Sequence, residues 1–208
     1  MRRTYNNLSG NSNYTQLKSL SSSGSQFIMT NCIIQQSYRY VVECEAYDYA
    51  NNNPATVFSS YNPNKILQGR LLFLFQINKC DYSFGGTYEQ KPLTSQYKDK
   101  VICDVCESNI TFRDENNTES FTPTNVTTLR TANLCLFCSD AGASGNLVAY
   151  CKIYNFKVYT DSMATTPIYE YIPAIRNADG EIGIYDIIND VFYTNSGTGT
   201  FLYETLLN

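Results

Sequence analysis

The chain has no histidine among its 208 residues, so neither a Ser-His-Asp triad nor a Cys-His pair can be assembled from it. Long hydrophobic runs are missing as well. The longest clean apolar stretch is Leu71 to Phe75, far short of the roughly 20 residues a membrane-spanning helix needs. Lys and Arg are never massed on one segment and the net charge is -4, which leaves no electrostatic footprint for nucleic acid. There is no glycine-rich phosphate loop; Gly197-Thr198-Gly199 follows a strand-like run but precedes no helix, and reads as a turn. Met1-Arg2-Arg3 is basic, yet no apolar stretch follows it, so no secretion signal is expected.

What is present favours strands. Helix formers are thin beside 18 Tyr, 11 Phe and many Thr, Ser and Asn. An apolar fraction of 43% over this length suits one domain with its own core. Residues 1–13 read as a polar arm, mobile or partner-bound, with a single domain over 14–208. In Tyr38 to Tyr49, Tyr40, Val42, Cys44 and Ala46 fall on one face while Arg39, Glu43 and Glu45 fall on the other, the pattern of a half-exposed antiparallel strand. Arg70 to Ile77 is apolar on both faces, hence a central, covered strand. Val101 to Val105 and Asn109 to Phe112 predict a hairpin bending near Glu107-Ser108-Asn109. Leu147 to Thr160 predicts a long strand. The tail alternates strands with the turn Asn177-Ala178-Asp179-Gly180 and the bend Asn189-Asp190, where Asp-Gly supplies the positive φ of a tight hairpin. Ser19 to Ser25 and Tyr49 to Pro54 are low in complexity and read as loops. At least nine strands without βαβ alternation define the fold class: all-β, an antiparallel two-sheet β-sandwich.

Four groups of residues invite a chemical reading. Cys103-x-x-Cys106 and Cys135-x-x-Cys138 have zinc-ribbon spacing, but both pairs lie in apolar runs where residues three apart face opposite ways, and neither has a glycine knuckle. Zinc is not expected. Cys44, Cys135 and Cys151 fit strand interiors as small reduced hydrophobes, which implies folding in a reducing compartment. Glu43 and Glu45 share a strand face as glycosidase acids can, but the solvated side of an amphipathic strand explains them equally well, so no catalytic residue is assigned. Loop tyrosines and asparagines form the third group: Tyr47, Tyr49, Asn52, Tyr61, Asn62, Tyr82 and Tyr88 combine rings that stack on sugar C–H faces with amides that bond hydroxyls. These are the candidate glycan-binding residues. Asp140, Asp161 and Asp179 lack the spacing of a calcium loop, so no cofactor or metal is assigned.

Two stretches carry a family likeness. Gly24-Ser25-Gln26-Phe27-Ile28, within Tyr14 to Thr30, resembles the opening strand of phage-encoded concanavalin A-like, laminin G-like jelly-roll domains. Lys152-Ile153-Tyr154, followed by Gly183, Tyr185, Asp186, Phe192, Tyr193, Asn195, Gly197, Thr198 and Gly199, resembles their closing strand and hairpin. Residues 79–130 carry no such match. The resemblance implies a concanavalin A-like jelly roll and a non-enzymatic bacteriophage protein of the tail, fibre or capsid surface, folded in the host cytoplasm and then assembled into the virion. It further implies adhesion toward host or environmental glycans, attachment to other virion proteins or to further copies of itself through the arm, and no nucleic-acid or membrane partner. A structural decoration protein and, behind it, a sandwich hydrolase are the alternatives.

Overall fold

The computed structural model describes Leu8 and residues 11–46, 55–61, 69–138 and 150–206. Among these residues there is no helix. The strands begin with β1 (Tyr14–Ser23), β2 (Ile28–Ile33), β3 (Arg39–Ala46), β4 (Ala55–Ser60) and β5 (Leu71–Gln76). Next come β6 (Lys79–Phe84), β7 (Glu89–Pro92), β8 (Val101–Cys106), β9 (Asn109–Arg113), β10 (Thr118–Phe121) and β11 (Asn133–Leu136). The last are β12 (Tyr150–Tyr159), β13 (Tyr169–Arg176), β14 (Glu181–Asp186), β15 (Val191–Thr194) and β16 (Leu202–Thr205).

They form two antiparallel sheets. The large one runs β10-β9-β8-β3-β12-β1-β13-β14-β15, with β16 added beside β1; the small one runs β2-β11-β4-β5-β6-β7. Between the sheets lies one continuous core, rich in rings. Phe58 is 5.2 Å from Tyr40, from Phe73 and from Phe156, so one side chain ties both sheets together. Phe112 of the large sheet likewise meets Phe73 at 5.9 Å and Phe75 at 5.5 Å. Each such aromatic pair contributes about 0.5–1.5 kcal/mol beyond its buried area.

The expected strands are found where pattern was strongest. Burial alternates strictly along β3, with Tyr40, Val42, Cys44 and Ala46 inward. β5 is covered on both faces, and β8 and β9 form the expected hairpin, with Cys106 opposite Asn109. Residues 79–130 belong to the sheets, as β6 to β10.

One expectation is overturned. Ser19 to Ser23 are strand, not loop, and Ser19, Ser21 and Ser22 are buried. β1 is crowded here: Leu20 and Ser21 pair with β12 on one side and with β16 on the other. Small side chains suit that crowding, and Ser22 Oγ satisfies itself by donating to Gln26 O at 3.0 Å. Tyr49 to Pro54, the second low-complexity stretch, lies outside the described residues.

The closing hairpin is buried on both faces. Ile184 enters the main core, while Tyr185 joins Ile172 and Ala174 in a second cluster on the outer face of the large sheet. Tyr14, Phe192, Ile187 and Leu8 pack against that cluster. The hairpin's end also bolts onto the residues leading into β2. Asn195 Oδ1 accepts from Gly197 N at 2.8 Å and Phe27 N at 3.2 Å, and Thr198 N donates to Ser25 O at 3.0 Å.

Candidate functional site

The site is built at one end of the small sheet, on the face turned away from the core. β5 and β6 alternate there: Phe73, Phe75, Cys80, Tyr82 and Phe84 enter the core, whereas Leu72, Leu74, Asp81 and Ser83 point outward. Leu72 and Leu74 are themselves covered, and Asp81 stands in register between Leu74 and Gln90. Arg70 precedes β5, and the β4–β5 register, Ser59 opposite Leu72, sets Tyr61 across from it. Tyr88 precedes β7 and reaches back over this ground. Its ring lies 6.0 Å from the Arg70 guanidinium carbon, with the Asp81 carboxylate nearby. Burial first, then the neighbouring Asp81 carboxylate, raises the Tyr88 hydroxyl pKa above the usual tyrosine range.

The segment Thr124 to Arg130 forms the rim. Thr127 N donates to Phe84 O at 2.8 Å and Arg130 N to Gly69 O at 2.7 Å. So close an approach needs Gly85 and Gly86. A Cβ on Gly86 would fall 1.8 Å from Asn125 O, and Gly85 has φ +77° with Thr127 O in the same position. Glu89 clamps the rim from below, accepting from Thr124 Oγ1, Asn125 Nδ2 and, at 3.2 Å, the Tyr82 hydroxyl. The donation from Thr124, joined by those of Tyr82 and Asn125, holds the Glu89 carboxyl below its usual range.

The candidate tyrosines therefore divide. Tyr61 and Tyr88 belong to this outer face; Tyr61 is half-buried against Cys135 and Cys138, and Tyr88 is 47% exposed. Tyr82 is turned the other way by the strand alternation. It is 3% exposed and packs on Phe121 at 5.6 Å, so it has no ring face to offer and supports the site only through its hydroxyl. Tyr47, Tyr49, Asn52 and Asn62 lie outside the described residues. Arg70 and Asp81 were missed by sequence reasoning, because Asp81 sits inside a strand where only its outward register marks it.

The other chemical candidates are engaged elsewhere. Glu43 and Glu45 do share the outer face of the large sheet, within a ladder of compensated charges. Lys100 Nζ is 3.2 Å from Glu43, Lys152 Nζ is 3.4 Å from Glu45, and the Tyr154 hydroxyl donates to Glu45 at 2.7 Å. Glu204 completes it, 2.6 Å from both Lys152 and Lys18. All eight cysteines are buried free thiols. Cys103 lies in the main core and Cys135 and Cys138 in a separate cluster on the small sheet's outer face, so the two CxxC pairs do not converge. Burial, with the Asp186 charge behind it, pushes the Cys32 thiol up to about 12, and burial also raises Cys103 and Cys151. Thiols so placed stay protonated near neutrality and are poor nucleophiles. Asp161 accepts from Met163 N and Ala164 N, and Asp179 pairs with Arg176, so both carboxylates serve turns. Asp140 lies outside the described residues.

No protein-family model and no curated protein matches the chain. Among solved structures it is similar to the extracellular region of zebrafish Gpr126/Adgrg6, at 15% identity and TM-score 0.52, over 90% of this chain and 26% of that one. It is also similar to domains LG4-5 of the mouse laminin alpha1 chain, at 9% identity and TM-score 0.47, over 73% of this chain and 44% of that one. A third similarity is to the CBM40 of the Ruminococcus gnavus IT-sialidase bound to alpha2,3 sialyllactose, at 10% identity and TM-score 0.46, over 63% and 79% of the two chains. With its two antiparallel sheets and single interlayer core, the chain is an all-β, antiparallel two-sheet β-sandwich.

Proposed function

We propose that the chain is a non-catalytic recognition module that binds glycans on the outer face of its small sheet. The observation that carries this reading is the exposed Tyr88 ring set beside Arg70 and the buried Asp81 carboxylate. A ring beside a fixed donor and acceptor can take the C–H face and the hydroxyls of one sugar together. The absence of histidine, the compensated Glu43 and Glu45, and the protonated thiols support a role without bond breaking. The chain's place is on a bacteriophage particle, a reading supported by the terminal motifs it shares with phage-encoded jelly rolls. There, many copies would make weak sugar binding effective.

The test is a glycan array probed with the purified chain and with Tyr88→Ala, in parallel with antibody labelling of intact phage. Sugar binding lost in the variant, together with labelled particles, is the expected result. No sugar signal on labelled particles would replace recognition by structural decoration, a reading favoured by the exposed Met29 and Ile33 on edge strand β2. Binding without labelling would leave a free lectin. Glu43→Gln and Glu45→Gln should leave the array pattern unchanged, and sugar-polymer turnover that they abolish would establish a hydrolase instead.

A further inference from the structure

We infer that the chain pairs with a second copy of itself along β16, the two strands running antiparallel across a two-fold axis so that two large sheets join into one. An edge strand presents a row of N–H and C=O groups without a ladder partner, and folds guard such edges with charge, proline or a covering segment. Among the described residues five strands stand at an edge: β10, β15 and β16 of the large sheet, β2 and β7 of the small one. Four of these are guarded. β7 carries Lys91 and Pro92. β10 carries Glu119, whose Oε2 accepts from Thr94 N at 2.9 Å, and it shows no large exposed hydrophobic. β2 and the end of β15 close on one another: Met29 N donates to Ser196 Oγ at 3.3 Å, and Ser196 N to Phe27 O at 2.8 Å. The exposed Met29 and Ile33 thus lie on a strand whose edge is already bonded.

β16 has none of these devices. Among the described residues its one ladder partner is β1. Leu202 is 53% exposed and Tyr203 45%, and as consecutive strand residues they point to opposite faces, so both sides of this edge offer an apolar side chain. The strand's one charge, Glu204, lies 2.6 Å from both Lys18 and Lys152. Two copies meeting here bring no bare carboxylates together, and each gives the other the same row of donors and acceptors, as an isologous two-fold contact requires. Cross-strand pairs of Leu202 and Tyr203 add to the main-chain bonds. Four residues make a contact well below the roughly 800 Å² a side of a standard interface, so the pairing is weak in dilute solution and counts where copies are crowded together. β16 belongs to the large sheet and Tyr88 adjoins the small one, so the inference stands apart from the glycan reading.

Sedimentation velocity of the full chain from about 10 μM to about 1 mM should show a monomer–dimer equilibrium. Leu202→Lys combined with Tyr203→Lys, both at exposed positions, should weaken dimerisation about tenfold or more and leave the urea midpoint unchanged. Met29→Lys should dimerise as wild type does. In the wild-type chain, amide exchange over Leu202–Thr205 should slow as concentration rises, while exchange over Thr118–Phe121 in β10 should not. A chain still monomeric at the highest concentration, or assembly that grows beyond the dimer, would overturn the inference. So would association lost in Met29→Lys but kept in the double variant, or protection that appears at β10 in place of β16.

Discussion

Replacing Tyr185 by alanine tests whether the closing hairpin holds the sandwich shut. Tyr185 is 4% exposed and stacks on Tyr14 with ring centroids 4.3 Å apart. Its hydroxyl donates to Asp190 Oδ1 at 2.5 Å and accepts from Asn11 Nδ2 at 3.1 Å. Burial, followed by the bond to Asp190 and that group's charge, pushes the phenol up to about 12, so it is a neutral donor across the working pH range. Truncating a buried ring costs about 3–5 kcal/mol. The lower part of that range is expected, because Leu8, Tyr14, Ile187 and Phe192 around it are only partly buried and can relax. Tyr185→Phe keeps the ring and loses the two hydrogen bonds, a loss of about 1 kcal/mol. Native domains are stable by about 5–15 kcal/mol, so the alanine variant gives up a large share of the whole. Urea titration with m held constant reads both numbers, and the alanine variant should melt roughly 6–20 °C lower. A loss under 1 kcal/mol for Tyr185→Ala, or a phenylalanine variant as damaged as the alanine one, would refute the packing argument.

The remaining expectations concern charge and backbone. Hydrogen bonds from Lys152, then Lys18, lower the Glu204 carboxyl pKa below its ordinary value of 4.5. A depressed carboxyl adds stability that is fully present above the unfolded value and is lost as pH falls through the folded one. Glu204→Gln should therefore be less stable than wild type at pH 7, with the gap closing below about pH 4.5; a gap constant from pH 7 to pH 3 would remove the ion pairs as its cause. Gly86→Ala drives a Cβ into Asn125 O and should cost more than Gly180→Ala, where the space is open and the strained positive φ alone costs about 1–2 kcal/mol. Equal losses in the two variants would show that the rim does not need the close approach.

How much of this was legible in the sequence depended on how each strand is used. β3 has one face in the core and one in solvent, so its alternation was plain. β5 is apolar throughout because it is covered on both sides. The edge strands β7 and β10, Glu89–Pro92 and Thr118–Phe121, are short and polar, since an edge facing water gains from charge and proline rather than from a hydrophobic pattern. Serines disguised half of β1, because what that strand needs is small size between two neighbours rather than hydrophobicity. Among the tyrosines, residue type alone does not tell the direction of the side chain. Tyr82 and Tyr88 are alike in sequence, and strand register alone sends one into the core and leaves the other outside. Asp81, one residue from Tyr82, is turned to the outer face for the same reason.

Leu8 docks on the back of the sandwich, and the Tyr88 platform occupies the front, with two layers of strands between them. Stacked sheets lie about 10 Å apart, so whatever packs against Leu8 is separated from the Tyr88 ring by at least that thickness.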